Sequence, residues 1–211
     1  MTHEHEQDPY SQETWDARYA DSDRVWSGNP NPQLVARVAD LPPGRALDIG
    51  CGEGADAVWL AARGWQVTAV DVSPVALQRA AAHADEAGVE GIEWLHHDLM
   101  SGEPLPGGFD LVSAQFMHVP RGIFEEFHRR LGAAVGAGGS LLVVGHHPDD
   151  LATGVRRPHG HDLLSTPAQM VAALDPAEWD VVVADAPTRE HHGPDGPVTV
   201  RDSVLHAVRR A

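Results

Sequence analysis

The stretch Arg45–Gly54, which reads Arg-Ala-Leu-Asp-Ile-Gly-Cys-Gly-Glu-Gly, decides the fold of this chain. Its first five residues are mainly apolar and predict a short buried strand, whereas the glycines that follow predict a tight turn. The alanine-rich run 55–63 then predicts a helix. A strand, a glycine-rich turn and a helix together let backbone approach a ligand closely and leave free helix N–H groups facing it. The stretch therefore predicts a ligand site where the strand meets the helix.

Apolar runs of strand length alternate with helical patterns along the rest of the chain, which predicts parallel βα units with helices on both faces of a sheet. The predicted strands after the first one span 66–71, 92–96, 109–114, 140–145, 180–184 and 202–208. The last two are joined by the turn-rich segment 190–197, which is too short and too rich in proline for a helical crossover. We therefore expect the last strand to run antiparallel to the others.

The length of 211 residues, of which 42% are hydrophobic, allows one well-buried core and is short for two. We predict a single domain over residues 1–211, in which a helical N-terminal leader, residues 1–44, precedes a Rossmann-like core, residues 45–211. The leader carries aromatic side chains among charged residues, namely Trp15, Tyr19 and Trp26.

The chain has 31 acidic and 15 basic residues, which give a formal charge of -16. Such a charge repels a phosphate backbone, so the composition argues against a nucleic acid and favours a small-molecule partner. The N-terminus is polar, and no stretch approaches the roughly 18 apolar residues of a membrane helix. We therefore expect a soluble, cytoplasmic protein without a membrane partner. Cys51 is the single cysteine, which excludes an intramolecular disulfide.

The spacing of the glycines leaves two ligands open. Gly50, Gly52 and Ala55 satisfy the dinucleotide fingerprint, and Asp71 lies about 20 residues further on, as a ribose-binding acid does. On this motif alone, a nicotinamide-dependent oxidoreductase remains possible.

Three further features favour S-adenosylmethionine. Asp48 stands directly before the glycines, where it disfavours a pyrophosphate but suits the ammonium of a methionine group. Asp98 follows the third predicted strand, where it is placed to accept a hydrogen bond from an adenine amino group. The antiparallel hairpin expected at the C-terminus is the third feature. Ligands bind at the carboxyl ends of the strands in such sheets, and three acids fall there in succession.

On these residues, together with Phe109-Asp110, the chain resembles the class I S-adenosylmethionine-dependent methyltransferases over residues 40–208. The resemblance implies an α/β, doubly wound, seven-stranded sheet of order 3-2-1-4-5-7-6 with strand 7 antiparallel. The leader segments 15–19 and 26–32 show a weaker resemblance to the branch that contains the tellurite-resistance and thiopurine methyltransferases. In that branch the N-terminal segment covers the cofactor, which implies that Trp15, Tyr19 and Trp26 belong to a lid.

The resemblance also assigns residues to the parts of the cofactor. It implies that Asp71 binds the ribose hydroxyls and that Val72 packs on the adenine face. It implies that Asp98 and the backbone of Leu99 read the adenine edge, while Gln115 faces the methionine part. The full set of predicted cofactor-binding residues is Trp26, Asp48, Gly50, Cys51, Gly52, Asp71, Val72, Asp98, Leu99 and Gln115.

Methyl transfer from a sulfonium is an in-line displacement, so a protein base is optional. An acidic thiol or selenol arrives largely ionised, whereas a hydroxyl needs a base near neutrality, for which histidine is suited. His118, His146 and His147 follow predicted strands where an acceptor should lie, and they are the candidate bases or acceptor-orienting residues. The other histidines, His159 and His161 among them, match no standard metal-ligand spacing, so we predict no metal site.

We therefore predict an S-adenosylmethionine-dependent methyltransferase that acts on a thiol, chalcogen or hydroxyl group of a small molecule. Two alternatives remain at this stage. One is the nicotinamide-dependent oxidoreductase, and the other is a non-catalytic sensor that binds S-adenosylmethionine or a metal.

Overall fold

A computed structural model of the chain describes residues 8–155, 163–193 and 196–211. The strands are β1 (Arg45–Ile49), β2 (Gln66–Asp71), β3 (Ile92–His96), β4 (Phe109–Gln115), β5 (Val135–His146), β6 (Trp179–Asp185), β7 (Thr188–Gly193) and β8 (Gly196–Arg209). The helices are α1 (Gln12–Ala20), α2 (Pro32–Val38), α3 (Ala55–Ala61), α4 (Pro74–Ala87), α5 (Phe124–Ala134) and α6 (Pro167–Ala172). Two 3₁₀ turns lie at Arg121–Ile123 and Pro148–Thr153.

The strands form one sheet of order β3-β2-β1-β4-β5-β8-β6, and β7 pairs with β8 outside this path. The pairs from β3 across to β5 are parallel, whereas β8 lies antiparallel between β5 and β6. With β8 counted as the predicted seventh strand, the predicted order and the predicted antiparallel strand are both confirmed.

The prediction for the C-terminal hairpin was wrong in its extent. Part of the segment 190–197, predicted as a turn, forms β7, which pairs with β8 from Thr188 opposite Arg201 to His192 opposite Pro197. The last strand accordingly begins at Gly196 instead of residue 202. Glycine and proline have a low strand propensity, which is why this segment was predicted as a turn. An edge strand tolerates both residues, and β8 supplies the strand with which β7 pairs. The hairpin therefore extends the sheet beyond its predicted end.

Apolar layers cover both faces of the sheet. Leu34 of α2 and Leu60 of α3 pack with alternate strand residues on one face. Phe127 of α5 and Met170 of α6 pack on the other. Because the helices cover both faces, the carboxyl ends of the parallel strands are left as the place where polar groups gather. Within the described ranges, no helix is long and apolar enough to cross a membrane.

The turns that follow β1 and β2 fix where the next helices begin. Gly54 has a φ of +83°, and a Cβ there would lie 2.8 Å from the Cβ of Ala80 and 2.9 Å from the ring of Trp94. Only glycine satisfies both constraints without strain. After β2, the hydroxyl of Ser73 accepts the N–H of Ala76 and caps α4, and Pro74 takes its first position. Both turns bring a helix N-terminus to the carboxyl edge of the sheet.

Candidate functional site

Asp71, at the end of β2, is held on both of its carboxylate oxygens. Oδ2 accepts the N–H of Gly52 at 2.9 Å, and Oδ1 accepts the N–H of Ser73 at 2.9 Å. The residue is only 7% exposed. These contacts tie the glycine loop, Gly50–Gly54, to the end of the second strand and fix the direction in which the carboxylate faces.

Asp48 and Gln115 each present a buried oxygen without a hydrogen-bond donor among the described residues, namely Asp48 Oδ2 and Gln115 Oε1. Asp48 lies beside Ser113 in the register of β1 and β4. The side-chain amide of Gln115 donates to the hydroxyl of that same Ser113 at 2.8 Å. Buried oxygens are rarely left without donors, so this pair is suited to a ligand that carries several N–H groups.

Three aspartates around the loop, Asp48, Asp56 and Asp71, have raised pKa values. Burial raises the pKa of Asp48 well above its ordinary value, and the charges of Asp56 and Asp71 raise it further. Burial also raises the pKa of Asp71, and it raises the pKa of Asp56 to about 6. A cation in this position would reverse the effect on Asp48, because an opposite charge favours the carboxylate. The site is therefore electrostatically suited to a positively charged ligand.

The remaining loop residues line the same edge. A Cβ at Gly50 would lie 3.0 Å from the sulfur of Met117, which brings the loop against the segment after β4. The backbone of Cys51 donates to the carbonyl of Val70 at 3.0 Å. Burial, followed by the charges of Asp48 and Asp71, raises the pKa of the Cys51 thiol well above its ordinary value. Cys51 is therefore a protonated thiol that fills a tight turn.

The predicted adenine-binding residues lie together after β2 and β3. Val72 is half-buried, and its carbonyl contacts the Nε2 of His96 at 3.0 Å. Asp98 is exposed, and its Oδ1 accepts the N–H of Met100 at 2.8 Å. Leu99 is buried, and its carbonyl accepts an N–H of Arg130 at 2.9 Å. Arg130, on α5, thus braces this loop, and the sequence carries no local signal for that contact.

The leader reaches the glycine loop through two of its aromatic residues. The indole N–H of Trp26 donates to the hydroxyl of Tyr19 at 2.9 Å. A Cβ at Gly52 would lie 2.9 Å from that hydroxyl and 3.0 Å from the indole nitrogen. Arg18 lies between the rings of Trp15 and Trp26, at 5.0 Å and 4.9 Å from their centroids. The predicted lid residues therefore stand against the predicted cofactor loop.

Two of the three candidate histidines form a stacked pair at the ends of β4 and β5. The rings of His118 and His146 lie 5.0 Å apart with an angle of 17° between their planes. The ring of Phe116 lies 4.4 Å from that of His146, and Phe116 has a φ of +54°, which is uncommon for a residue with a side chain. His118 is buried, whereas His146 is half-buried.

His147 does not join this pair. Its Nδ1 accepts the N–H of Asp149 at 3.1 Å and caps the 3₁₀ turn Pro148–Thr153. An ion pair that sequence reasoning missed lies on the other side of the stack, since Arg189 donates to the buried Asp202 at 2.8 Å. The guanidinium of Arg189 lies 5.8 Å from the ring of Phe116. We call this group the acceptor half of the site; it consists of Phe116, His118, His146, Arg189 and Asp202.

His159 and His161, which were considered above as metal ligands, lie outside the described residues. Among the residues that are described, no group of three or more histidine, cysteine or acidic side chains is arranged to hold a metal ion.

Residues 46–139 match a family described as a methyltransferase domain. An uncharacterised methyltransferase of Mycobacterium tuberculosis is 37% identical over 125 residues, which are 58% of this chain and 61% of that protein. A ubiquinone biosynthesis O-methyltransferase of Xanthomonas campestris is 34% identical over 149 residues, which are 68% of this chain and 56% of that protein. The chain thus matches about three fifths of the length of these curated relatives.

Over residues 46–139 the chain is thus similar to the methyltransferase-domain family, and the two relatives named above are both described as methyltransferases. The N-methyltransferase NodS of Bradyrhizobium japonicum, solved with S-adenosylhomocysteine, has the same fold, with a TM-score of 0.72. That likeness covers 97% of this chain and all of NodS at 17% identity. The matched part of the methyltransferase domain contains the glycine loop, the three acids and His118, but it ends before His146. The weaker resemblance of the leader to the tellurite and thiopurine branch stays a prediction.

Proposed function

We propose that this methyltransferase transfers the methyl group of S-adenosylmethionine to a hydroxyl oxygen of a small molecule. The observation that supports a hydroxyl acceptor is the stacked pair of His118 and His146 at the ends of β4 and β5. A hydroxyl must lose its proton during transfer, and imidazole accepts protons near neutral pH. An acidic thiol would need no such group. The O-methyltransferase among the relatives has a name consistent with oxygen as the accepting atom.

The polar groups of the cofactor half, defined as Gly50–Gly54 with Asp48, Asp71, Asp98 and Gln115, fit S-adenosylmethionine. Asp48 Oδ2 and Gln115 Oε1, which lack donors among the described residues, are suited to the ammonium of its methionine part. Asp71 accepts two backbone N–H groups and retains lone pairs for the ribose hydroxyls, because a carboxylate has about four acceptor positions. Bound S-adenosylmethionine supplies an electrophilic methyl group together with its own leaving group.

The remaining predicted residues would hold the adenine and close the site. Asp98 and the backbone N–H of Leu99 are suited to the adenine edge, and Val72 to its face. The leader, residues 1–44, would act as a lid through Tyr19 and Trp26. A lid of this kind excludes water, which strengthens electrostatic contacts inside the site.

The acceptor half would orient the hydroxyl and remove its proton. His146 is the more exposed of the two stacked rings, and we assign the base role to it. His118 stacks on the ring of His146 and accepts its backbone N–H through Nε2 at 3.5 Å, so we assign it the role of a positioning residue for His146. The formal charge of -16 supports a small molecule over a nucleic acid.

The test is a panel of phenols, alcohols, thiols and amines, in which S-adenosylhomocysteine release and product mass are measured together. We expect methylated products from hydroxyl compounds. Methylation of thiols alone would contradict the choice of oxygen. Cofactor binding without turnover of any acceptor would favour the sensor alternative, and NADH binding without S-adenosylmethionine binding would overturn the proposal.

A further inference from the structure

Glu53 is a buried acid in the middle of the glycine loop, only 4% exposed. Its carboxylate accepts the backbone N–H of Val25 at 3.1 Å and that of Trp26 at 3.0 Å, both from the leader. It also accepts an N–H of Arg79, on α4, at 3.1 Å. A buried charge is costly unless it is paired and hydrogen-bonded, and these donors satisfy it. Two of the hydrogen bonds that offset the cost of burying the Glu53 carboxylate therefore come from the leader.

The backbone of Glu53 is held by the same helix, α4. Its carbonyl contacts the Nδ1 of His83 at 3.0 Å, and His83 lies one turn after Arg79 on α4. Both ends of the residue are thus fixed to a long helix of the core. A leader segment bound to this carboxylate is in effect bound to the core, although leader and loop are more than twenty residues apart in sequence.

Two further acids strengthen the attachment. Asp16 of α1 accepts the hydroxyl of Ser73 at 2.5 Å, next to Asp71. Asp56 of α3 accepts the backbone N–H of Asn31 at 2.6 Å. Glu53 differs from both because it belongs to the glycine loop itself. It holds the leader at Trp26, whose indole lies against Gly52.

We propose that Glu53 is a positioning residue that joins the leader to the cofactor loop and thereby sets how long the cofactor stays bound. The inference rests on the proposed cofactor site. While the carboxylate holds Val25 and Trp26, the side chains of Tyr19 and Trp26 stay over the loop, and a bound cofactor is covered. Release of these N–H groups lets the leader move away and the cofactor leave.

The test is Glu53→Gln, which keeps the size of the side chain but removes its charge and one acceptor oxygen. Glu86→Gln is the matched control, because Glu86 is an exposed acid on α4 and loses the same charge. Stopped-flow measurement of S-adenosylhomocysteine release should show roughly tenfold faster dissociation in Glu53→Gln, since hydrogen bonds to charged groups are the stronger kind. The control should match the wild type in the rate of dissociation.

The rate of trypsin cleavage tests whether Glu53 holds the leader, because a purely structural role of Glu53 in the glycine loop would not change cleavage within the leader. Val25 donates the N–H of the Arg24–Val25 peptide bond, so the contact with Glu53 protects a tryptic site. Cleavage there should be faster in Glu53→Gln, and S-adenosylhomocysteine should slow it in the wild type. Equal dissociation rates and equal cleavage in both variants would overturn the inference while leaving the cofactor site intact.

Hydrogen exchange on the wild type covers the case in which Glu53→Gln does not fold. The amides of Val25 and Trp26 should gain roughly tenfold protection when S-adenosylhomocysteine binds, because the ligand and the leader stabilise each other. Unchanged protection with ligand bound would overturn the inference. Absence of any S-adenosylhomocysteine binding would instead overturn the proposed cofactor site, and the inference with it.

Discussion

The cofactor half and the acceptor half meet at one edge of the sheet, yet they are assembled differently. The polar groups that face the proposed cofactor come mainly from residues 48–99, and each lies at the carboxyl end of a strand or directly after it. The acceptor half combines Phe116 and His118 with His146, Arg189 and Asp202, which lie on four different strands or the segments after them. A site made from consecutive βα units can be recognised as a motif in the sequence. A site made by pairing strands that are distant in sequence can be recognised only in the folded structure.

The two halves also differ in charge. Buried carboxyl groups dominate the cofactor half, and burial raises the pKa values of Asp48, Asp56 and Asp71. In the acceptor half, imidazole and aromatic rings stack beside an ion pair between Arg189 and Asp202. A cation is favoured at the first place and a proton acceptor is available at the second. This division is consistent with the proposed pairing of a positively charged methyl donor and an acceptor that loses a proton.

The largest effect is expected for a substitution of the proposed base in the acceptor half. His146→Gln should lower kcat for hydroxyl acceptors by about 10²–10⁴-fold, the usual contribution of a general base. Affinity for S-adenosylhomocysteine should not change, because the ring of His146 stacks on His118 and Phe116 of the acceptor half. The measurement is kcat for a phenol and the corresponding thiophenol, and the thiophenol rate should change little.

His147→Gln is the control for that experiment, since its imidazole caps a 3₁₀ turn and lies outside the stack. Equal losses for phenol and thiophenol in His146→Gln would show that the ring does not act as a base. Equal losses in His146→Gln and His147→Gln would remove the distinction between the two histidines.

A smaller effect is expected in the cofactor half. Asp71→Ala should weaken S-adenosylhomocysteine binding by about 1.5–3 kcal/mol, or roughly tenfold to a hundredfold, because it removes charge-assisted contacts. It also releases the N–H groups of Gly52 and Ser73, which loosens the glycine loop. Titration calorimetry gives the affinity. Asp85→Ala, at an exposed position of α4, is the control and should bind as the wild type does.

The smallest effect is a dependence on pH. Carboxyl groups with raised pKa values in the folded chain stabilise it at low pH, and this contribution is lost as the pH rises through their folded pKa values. For Asp56 that value is about 6. We therefore expect the contribution of these groups to the free energy of unfolding, without cofactor, to decrease between about pH 4 and pH 6.

Cofactor binding should show the opposite trend. An ammonium beside Asp48 favours the carboxylate, so binding releases protons and strengthens as the pH rises, by roughly tenfold for each unit of pKa that binding lowers. Calorimetry in buffers of different ionisation enthalpy measures the released protons. In the unfolding measurement without cofactor, Asp56→Asn should remove the part of the pH dependence centred near 6. Proton uptake on binding would contradict a role for Asp48 toward the ammonium.

The residues of the proposed cofactor half could be named from the sequence because local rules apply there. Glycines at positive φ, a serine cap at Ser73 and acids at strand ends are local features with local consequences. The extent of the C-terminal hairpin was not reached, because pairing of β7 with β8 overrode the turn-like composition of residues 190–197. Glu53 and Arg189 were missed for the same reason, since their partners are distant in sequence.

By itself, the sequence determined the alternating βα units and the antiparallel last strand, because periodicity and turn chemistry are properties of short segments. The sheet order came with the resemblance to the class I methyltransferases. Only the tertiary structure decided that His118 and His146 stack while His147 caps a turn, and that Glu53 ties the leader to the glycine loop. Those contacts depend on strand register and on helix packing over long sequence separations, where side-chain burial and hydrogen-bond satisfaction select the partners.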